Sequence, residues 1–300
     1  MCHEALSWSG RGDHSEPAVP PPPDGHGNIA PVLASQLCRE STLTSAAFVA
    51  WSDRLRPVWD PDGTDLRRVM QHRKMWEWLF ICQALDEHSM LAPGRRGLGF
   101  GVGKEPLVAL FASLGCQIVA SDLDPDEAAA GGWAASGAEY AGGLTGLNDH
   151  GLCPSELFEE RVAFRFVDMR QIPSDLAGFD FTWSSCAFEH LGTIEAGLEF
   201  VVDQVRCLRT GGVAVHTTEF NVSPGNGTIT EGPTVLYRRE HLEELAIRLR
   251  RLGCRITLDL TEGVAPADRH VDLPPFSETH LRTVLGEYAT TSVALVIEKG

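Results

Sequence analysis

Apolar residues recur at three- and four-residue intervals over residues 65–91, at Leu66, Val69, Met70, Trp76, Leu79, Phe80 and Leu85. That spacing predicts one buried helical face, and Pro93-Gly94 ends the run. Beyond it the period changes. A short strand at 95–99 leads through glycines into a helix at 105–114, closed by Gly115. Further strands are expected at 117–121, 162–167, 179–185 and 213–217, where apolar residues cluster between glycine-rich breaks. Helices at 126–136, 194–208 and 239–252 alternate with them, the second capped by Thr193 and the third ended by Gly253. Late strands at 255–260 and 292–298 flank a turn at Pro274-Pro275. Such alternation predicts an α/β fold: a doubly wound, mostly parallel sheet with an antiparallel C-terminal strand.

The chain divides into three parts on the same grounds. Residues 1–29 hold Pro17, four consecutive prolines from Pro20 to Pro23, Gly25 and Gly27, with little to bury, and are expected to be disordered. Residues 30–92 form a helical N-terminal cap carrying Leu33, Leu37, Phe48, Trp51, Leu55 and Trp59. Within it, Trp76 is assigned to the core and Arg73, Lys74 and Glu77 to a solvated face, the alternative being that these four residues close over a ligand at the glycine turn that follows. Residues 93–300 make the main domain.

Composition narrows the partners. A net charge of −16 over 300 residues repels nucleic-acid backbone and anionic membrane, which favours a small or neutral substrate. No apolar run reaches the length of a membrane span, and His3, Glu4, Arg11 and Asp13 stand where a signal peptide would be apolar. The 8 cysteines form no Cys-x-x-Cys pair and read as reduced thiols. A cytoplasmic location is expected, and a homodimer is compatible with the sequence.

Candidate chemistry begins at Gly97-Leu98-Gly99-Phe100-Gly101-Val102-Gly103, between the first strand and its helix. Glycine there allows a tight turn and close backbone approach to a ligand. The next strand ends on Asp122, 23 residues after Gly99, where a carboxylate can accept bonds from ribose hydroxyls. Turns of this kind serve nicotinamide dinucleotides and S-adenosylmethionine alike. Glu105, just past the glycines, would repel a diphosphate but suits the sulfonium or amino group of a methionine moiety. No tyrosine has a lysine four residues on, which disfavours a nicotinamide-dependent oxidoreductase.

Residues 76–219 resemble class I S-adenosylmethionine-dependent methyltransferases. The resemblance rests on Gly97–Gly103, Ser121-Asp122, Val167-Asp168-Met169, the strand at 179–185 and Leu208-Arg209-Thr210-Gly211-Gly212 in that order. It implies a Rossmann-like sheet. Gly97, Gly99, Gly101, Gly103, Glu105, Asp122, Leu123, Asp168, Met169 and Ser184 would then line the cofactor site, with Asp122 on the ribose, Asp168 on the adenine amino group and Met169 beside the ring. One departure stands out: the family places an acid before the glycines, and this chain has none there.

The acceptor side is expected at Ser184-Ser185-Cys186-Ala187-Phe188-Glu189-His190, because ligands lie beyond the carboxyl ends of such strands. His190 can take a proton from an acceptor hydroxyl. Alternatively Glu189, His190 and Glu219 can hold a divalent ion, Mg2+ being the candidate. The Glu-His pair resembles the Glu-x-x-Glu-His element of metal-assisted methyltransferases, with Cys186 in the first glutamate's place. His216 reads as a core residue. The function expected is methyl transfer to a small-molecule or sugar hydroxyl. N- or carboxyl-methylation, nicotinamide-dependent oxidoreduction and a non-catalytic cofactor-binding module are the alternatives.

Overall fold

Alternate residues along the central strands point to two different hydrophobic layers. Strand β5 (Phe179–Ser185) sends Phe181 and Trp183 to one face and Thr182 and Ser184 to the other. Strand β6 (Leu208–Asn221) does the same with Val213 and Val215 against Ala214, and strand β10 (Tyr288–Lys299) with Ala294 and Val296 against Val293, Leu295 and Ile297. A sheet apolar on both faces must be covered on both faces. The computed structural model, which describes residues 33–59, 71–132, 140–276 and 279–300, shows how.

One layer contains helices α4 (Arg73–Glu87), α5 (Leu107–Ser113) and α7 (Ser155–Arg161), contributing Trp76, Phe80, Phe111 and Phe158. The other contains α8 (Ile194–Asp203) and α9 (Arg239–Arg251), contributing Phe200, Val201, Leu245 and Leu249. Strands β2 (Arg96–Phe100), β3 (Gln117–Asp122) and β4 (Val162–Phe166) complete the parallel part. Short strands β1 (Ser35–Leu37), β7 (Cys254–Arg255), β8 (Leu258–Asp259) and β9 (Thr283–Leu285) extend the other side. The sheet runs β4-β3-β2-β5-β6-β10-β1-β8, with β7 and β9 also paired to β10. Strand β10 lies antiparallel to β6 over Glu298↔Val213 to Thr290↔Asn221. The fold is therefore a Rossmann-like, mostly parallel sheet with an antiparallel C-terminal strand.

The cap differs from its expectation in one respect. Helices α1 (Glu40–Leu43), α2 (Ala46–Arg54) and α3 (Arg56–Trp59) are present, but β1 also enters the sheet between β10 and β8. Residues 1–29, most of the first expected helical turns at 65–70, and the end of the helix expected at 126–136 lie outside the described residues. The strand expected at 255–260 resolves into β7 and β8, and the helix expected to reach Leu208 stops at Asp203, followed by a 3-10 turn from Gln204 to Cys207. Gln204 accepts the Thr182 hydroxyl at 2.7 Å there, which gives both buried groups a partner. The described cysteines are free thiols, as expected.

Two glycines assigned to the ligand turn serve packing within the expected first strand instead. Gly97 and Gly99 lie in β2, opposite Phe181 and Trp183 of β5. A Cβ on Gly97 would sit 2.3 Å from the Phe181 ring, and one on Gly99 2.5 Å from the Trp183 ring. These glycines make room for aromatic packing. The turn itself is carried by Gly101 (φ +56°) and Gly103 (φ +50°), in the left-handed region that side chains avoid. Strand order reverses at β2, which has β3 on one side and β5 on the other, so the crevice for a ligand opens beyond Phe100 and Ser185.

Candidate active site

At the carboxyl end of β2 the chain turns through Gly101 towards two other strand ends. A Cβ at Gly101 would come within 3.0 Å of Ala187 Cβ and 3.4 Å of Met169 Sδ. The Asp122 carboxylate fixes this turn. Its oxygens accept backbone N–H bonds from Gly103 (3.1 Å), Ala141 (3.0 Å) and Leu123 (2.9 Å). Burial raises the Asp122 carboxyl above its ordinary range, against the opposing pull of those bonds. Asp122 thus ties the glycine turn to the segment that follows α6 (Pro125–Ala130), beside any further contact it makes. Asp168, just past β4, accepts from Arg170 backbone and side chain in a largely exposed pair, an arrangement worth little and easily exchanged.

Ser184 and His216 are placed inside the core. The Ser184 hydroxyl lies 2.9 Å from His216 Nδ1, and burial lowers the imidazole to about 3, so it stays neutral. The Ser184 side chain, expected at the cofactor, is engaged on the α8 side of the sheet. Ser185 points the opposite way, to Glu77 on α4.

The densest group of charges at this edge comes from residues whose favoured reading was a solvated face. Arg73, Lys74 and Glu77 form part of the site instead of a solvated face. Arg73 is 8% exposed and pairs with Glu219 at 2.5 Å, while Lys74 pairs with Glu77 at 2.8 Å. Glu219 also accepts the Thr290 hydroxyl at 2.6 Å, and Glu77 that of Ser292. Burial works to raise Glu77, but Lys74 and Arg73 overcome it and hold the carboxyl at about 2. Helix α4 buries Met75, Trp76, Leu79, Phe80, Ile81 and Cys82, so apolar residues surround much of its circumference. A helix apolar nearly all round is buried, and its charges are buried with it.

Cys186, the residue after β5, has φ +47°, a strained conformation for a residue with a Cβ. Its N–H bonds to Thr217 O at 3.0 Å, which holds the bend, and the chain drops into a 3-10 turn at Phe188–His190. Glu189 is 1% exposed, and its carboxylate accepts the Thr218 hydroxyl at 2.9 Å. Burial raises its carboxyl, with Glu219 adding to the rise and His190 opposing it. The His190 ring is oriented by Pro233, whose carbonyl lies 2.8 Å from Nδ1, and its Nε2 stands 4.0 Å from Glu189.

Among the described residues, ligand atoms of Cys186, Glu189 and Glu219 lie within 4.8 Å of one another. His190, expected as a ligand, is not in that group. The donor set does not fit Mg2+. Arg73 already occupies Glu219, and burial pushes the Cys186 thiol far above its usual range, where it remains protonated. Magnesium also prefers oxygen ligands to sulfur. Thermal melts in excess chelator and in millimolar Mg2+ are expected to superimpose, since an ion bound to the folded state would raise the midpoint by mass action.

No protein-family model matches the chain, and no curated protein matches it in sequence. Solved methyltransferase structures are similar to it over most of their length. A Galdieria sulphuraria protein assigned as a sarcosine dimethylglycine methyltransferase aligns at 13% identity and TM-score 0.49, over 80% of this chain and 91% of that one. The bacterial CtHen1 methyltransferase domain aligns at 12% identity and TM-score 0.45, over 76% and 100%. The magnesium protoporphyrin IX methyltransferase of Synechocystis, with SAH bound, aligns at 13% and TM-score 0.44, over 84% and 95%. No helix among the described residues is long and apolar enough to cross a membrane.

Proposed function

We propose that the chain is an S-adenosylmethionine-dependent methyltransferase acting on a small-molecule or sugar hydroxyl. The observation that carries this reading is the convergence at the strand-order reversal: Gly101 against Met169 and Ala187, with Asp122 anchoring Gly103. That is a cradle which a side chain at Gly101 would fill. Asp122 offers carboxylate oxygens to a ribose, and Asp168 a carboxylate to an amino group once Arg170 yields.

Bound S-adenosylmethionine supplies a methyl group on a positively charged sulfur. The protein's part is to bind, align and remove a proton. Charge pairing separates the buried carboxylates by task. Glu219 is matched by Arg73 and Glu77 by Lys74, so both serve to position α4 against β6 and β10. Glu189 has no arginine or lysine partner among the described residues and sits just past the end of β5, where an acceptor would lie. It would take the acceptor's proton at its carboxylate as the acceptor oxygen receives the methyl group. His190, held by Pro233, faces Glu189 and orients it. Much of the acceleration comes from alignment of the two reactants.

Calorimetry with S-adenosylhomocysteine tests the reading. Binding by the wild type is expected, and Asp122→Ala should weaken it by about 1.5–3 kcal/mol, the worth of hydrogen bonds to a charged group. A folded Asp122→Ala variant with unchanged affinity would remove Asp122 from the site.

A further inference from the structure

The start of α4 is held from outside by a second piece of chain. His72 caps the helix with its own side chain, Nδ1 accepting the Lys74 N–H at 3.1 Å. Its ring lies flat on that of His280, with centroids 4.6 Å apart and planes 19° from parallel. Backbone bonds flank the stack: the Arg73 N–H donates to His280 O at 3.0 Å, and the His280 N–H to Gln71 O at 2.8 Å. His280 is itself oriented, because its Nδ1 donates to the Asp272 carboxylate at 2.8 Å, and Asp272 is buried. The next residue, Leu281, is tied to β10 through its carbonyl, which accepts the Thr291 hydroxyl at 2.7 Å.

A cap made by imidazole differs from one made by serine or asparagine, which accept at any ordinary pH. The ring nitrogen accepts only while it carries no proton, and both nitrogens are donors in the cation. Protonated His72 therefore cannot cap α4. It would also place a positive charge flat against His280 and at the positive end of the helix dipole. Among the described residues, the ionisable groups facing His72 are His280, Arg73, Glu77 and Lys74, with Asp272 behind His280, and Trp59 and Phe276 border the stack. Glu77 is the one acid acting directly on the ring, and it is already paired with Lys74. Burial, helped by His280 and Arg73, lowers His72 to about 3. A free histidine titrates at about 6.5, so His72 released from the stack takes up a proton that it refuses in place. The stack is thus firmest above that pH and weakens as pH falls below it.

We propose that His72 and His280 form an acid-sensitive clasp on the site, closed while His72 is neutral and opening as His72 takes up a proton. Closed, it fixes the first turn of α4. Opening releases Arg73 and Lys74 together, and with them the pairings to Glu219 and Glu77 that position the helix. The clasp is independent of which cofactor or acceptor the site takes.

Hydrogen exchange of the full chain reads the clasp without any assay of activity. The amides of Arg73, Lys74, Met75 and Trp76 report its opening, since each donates to His280 or His72. Corrected for intrinsic exchange rates, their opening equilibrium should rise about 20- to 30-fold between pH 7 and pH 5, while they stay less protected than the core amides of β5 and β6. His72→Asn, which caps without titrating, should remove the rise. His280→Ala should increase opening at both pH values. No rise in the wild type, a rise kept by His72→Asn, or a His280→Ala protein as protected as the wild type would overturn the proposal. So would first-turn amides that exchange only as fast as the core, because they would then report global unfolding. Should His72→Asn fail to fold, His72→Ser is another cap that does not titrate, and the same flat response is required of it.

Discussion

Glu189→Gln is expected to lower turnover by about 10²–10⁴-fold, the usual worth of a positioned general base, while S-adenosylhomocysteine affinity stays near the wild-type value. Glutamine keeps the size of the side chain and can still accept the Thr218 hydroxyl, so the 3-10 turn is retained. What it loses is the ability to hold a proton. In the wild type a base works only when ionised, so turnover should fall as pH drops through the carboxyl's pKa, which burial raises above the ordinary glutamate value. The Gln variant should lack that limb. His190→Ala discriminates the two neighbours: as an orienting group its loss lowers turnover less than Glu189→Gln does and leaves the acidic limb in place. If His190→Ala instead abolishes the limb while Glu189→Gln retains it, the imidazole is the base and the carboxylate its support.

The sequence was most informative where local pattern and long-range packing agree. Strand β5 has the expected limits, and Thr193 caps α8 through a bond from the Ala196 N–H at 3.1 Å. Both features depend on neighbours close along the chain. Strand β6 is longer than its pattern, running from Leu208 through Gly211 and Gly212. Those glycines read as a break, yet a register irregularity between Phe179 and Phe181 lets the ladder pass them. Gly97 and Gly99 fall inside the strand expected at 95–99, but their reason for being glycine was not legible, since the rings that require them, Phe181 and Trp183, come much later in sequence. Strands of two or three residues such as β1 and β8 carry no periodicity at all and exist through pairing.

The site divides along the same line. The placement of Gly101, Gly103 and Asp122 at the ends of β2 and β3 was legible from the spacing of a strand-turn-helix motif, and that of Glu189 and His190 just past β5 from the strand's own limits. Arg73, Lys74 and Glu77 were read first as a solvated face and only second as neighbours of the site, although a signal against the first reading was present. Their helix has so many apolar residues that no face is left for three solvated charges, which is a statement about the whole circumference and not about any one residue. The pairing of Arg73 with Glu219 across most of the main domain has no local trace. Only the sheet order, which sets β6 beside β10 and α4 over both, brings them together.

Arg73→Leu should destabilise the fold by about 3–5 kcal/mol, because it strands a buried carboxylate rather than because the pair itself is strong. Bringing both charges out of water costs nearly what their attraction returns, so the pair as a whole contributes little. Removing one member leaves Glu219, 6% exposed, with only the Thr290 hydroxyl. The double variant Arg73→Leu/Glu219→Leu should therefore recover most of the loss. Thr290 is not orphaned in it, since its hydroxyl also reaches Phe220 O at 3.1 Å. Chemical denaturation of the four proteins closes the cycle, with a coupling energy of about 2–4 kcal/mol expected between the two sites. Additive losses would mean that Arg73 stabilises through packing of its stem, and that Glu219 finds another partner when it is gone. Recovery of stability without recovery of S-adenosylhomocysteine affinity would locate the pair's value in the site: two charges retained to hold the start of α4, and with it Lys74 and Glu77, against the ends of β5 and β6.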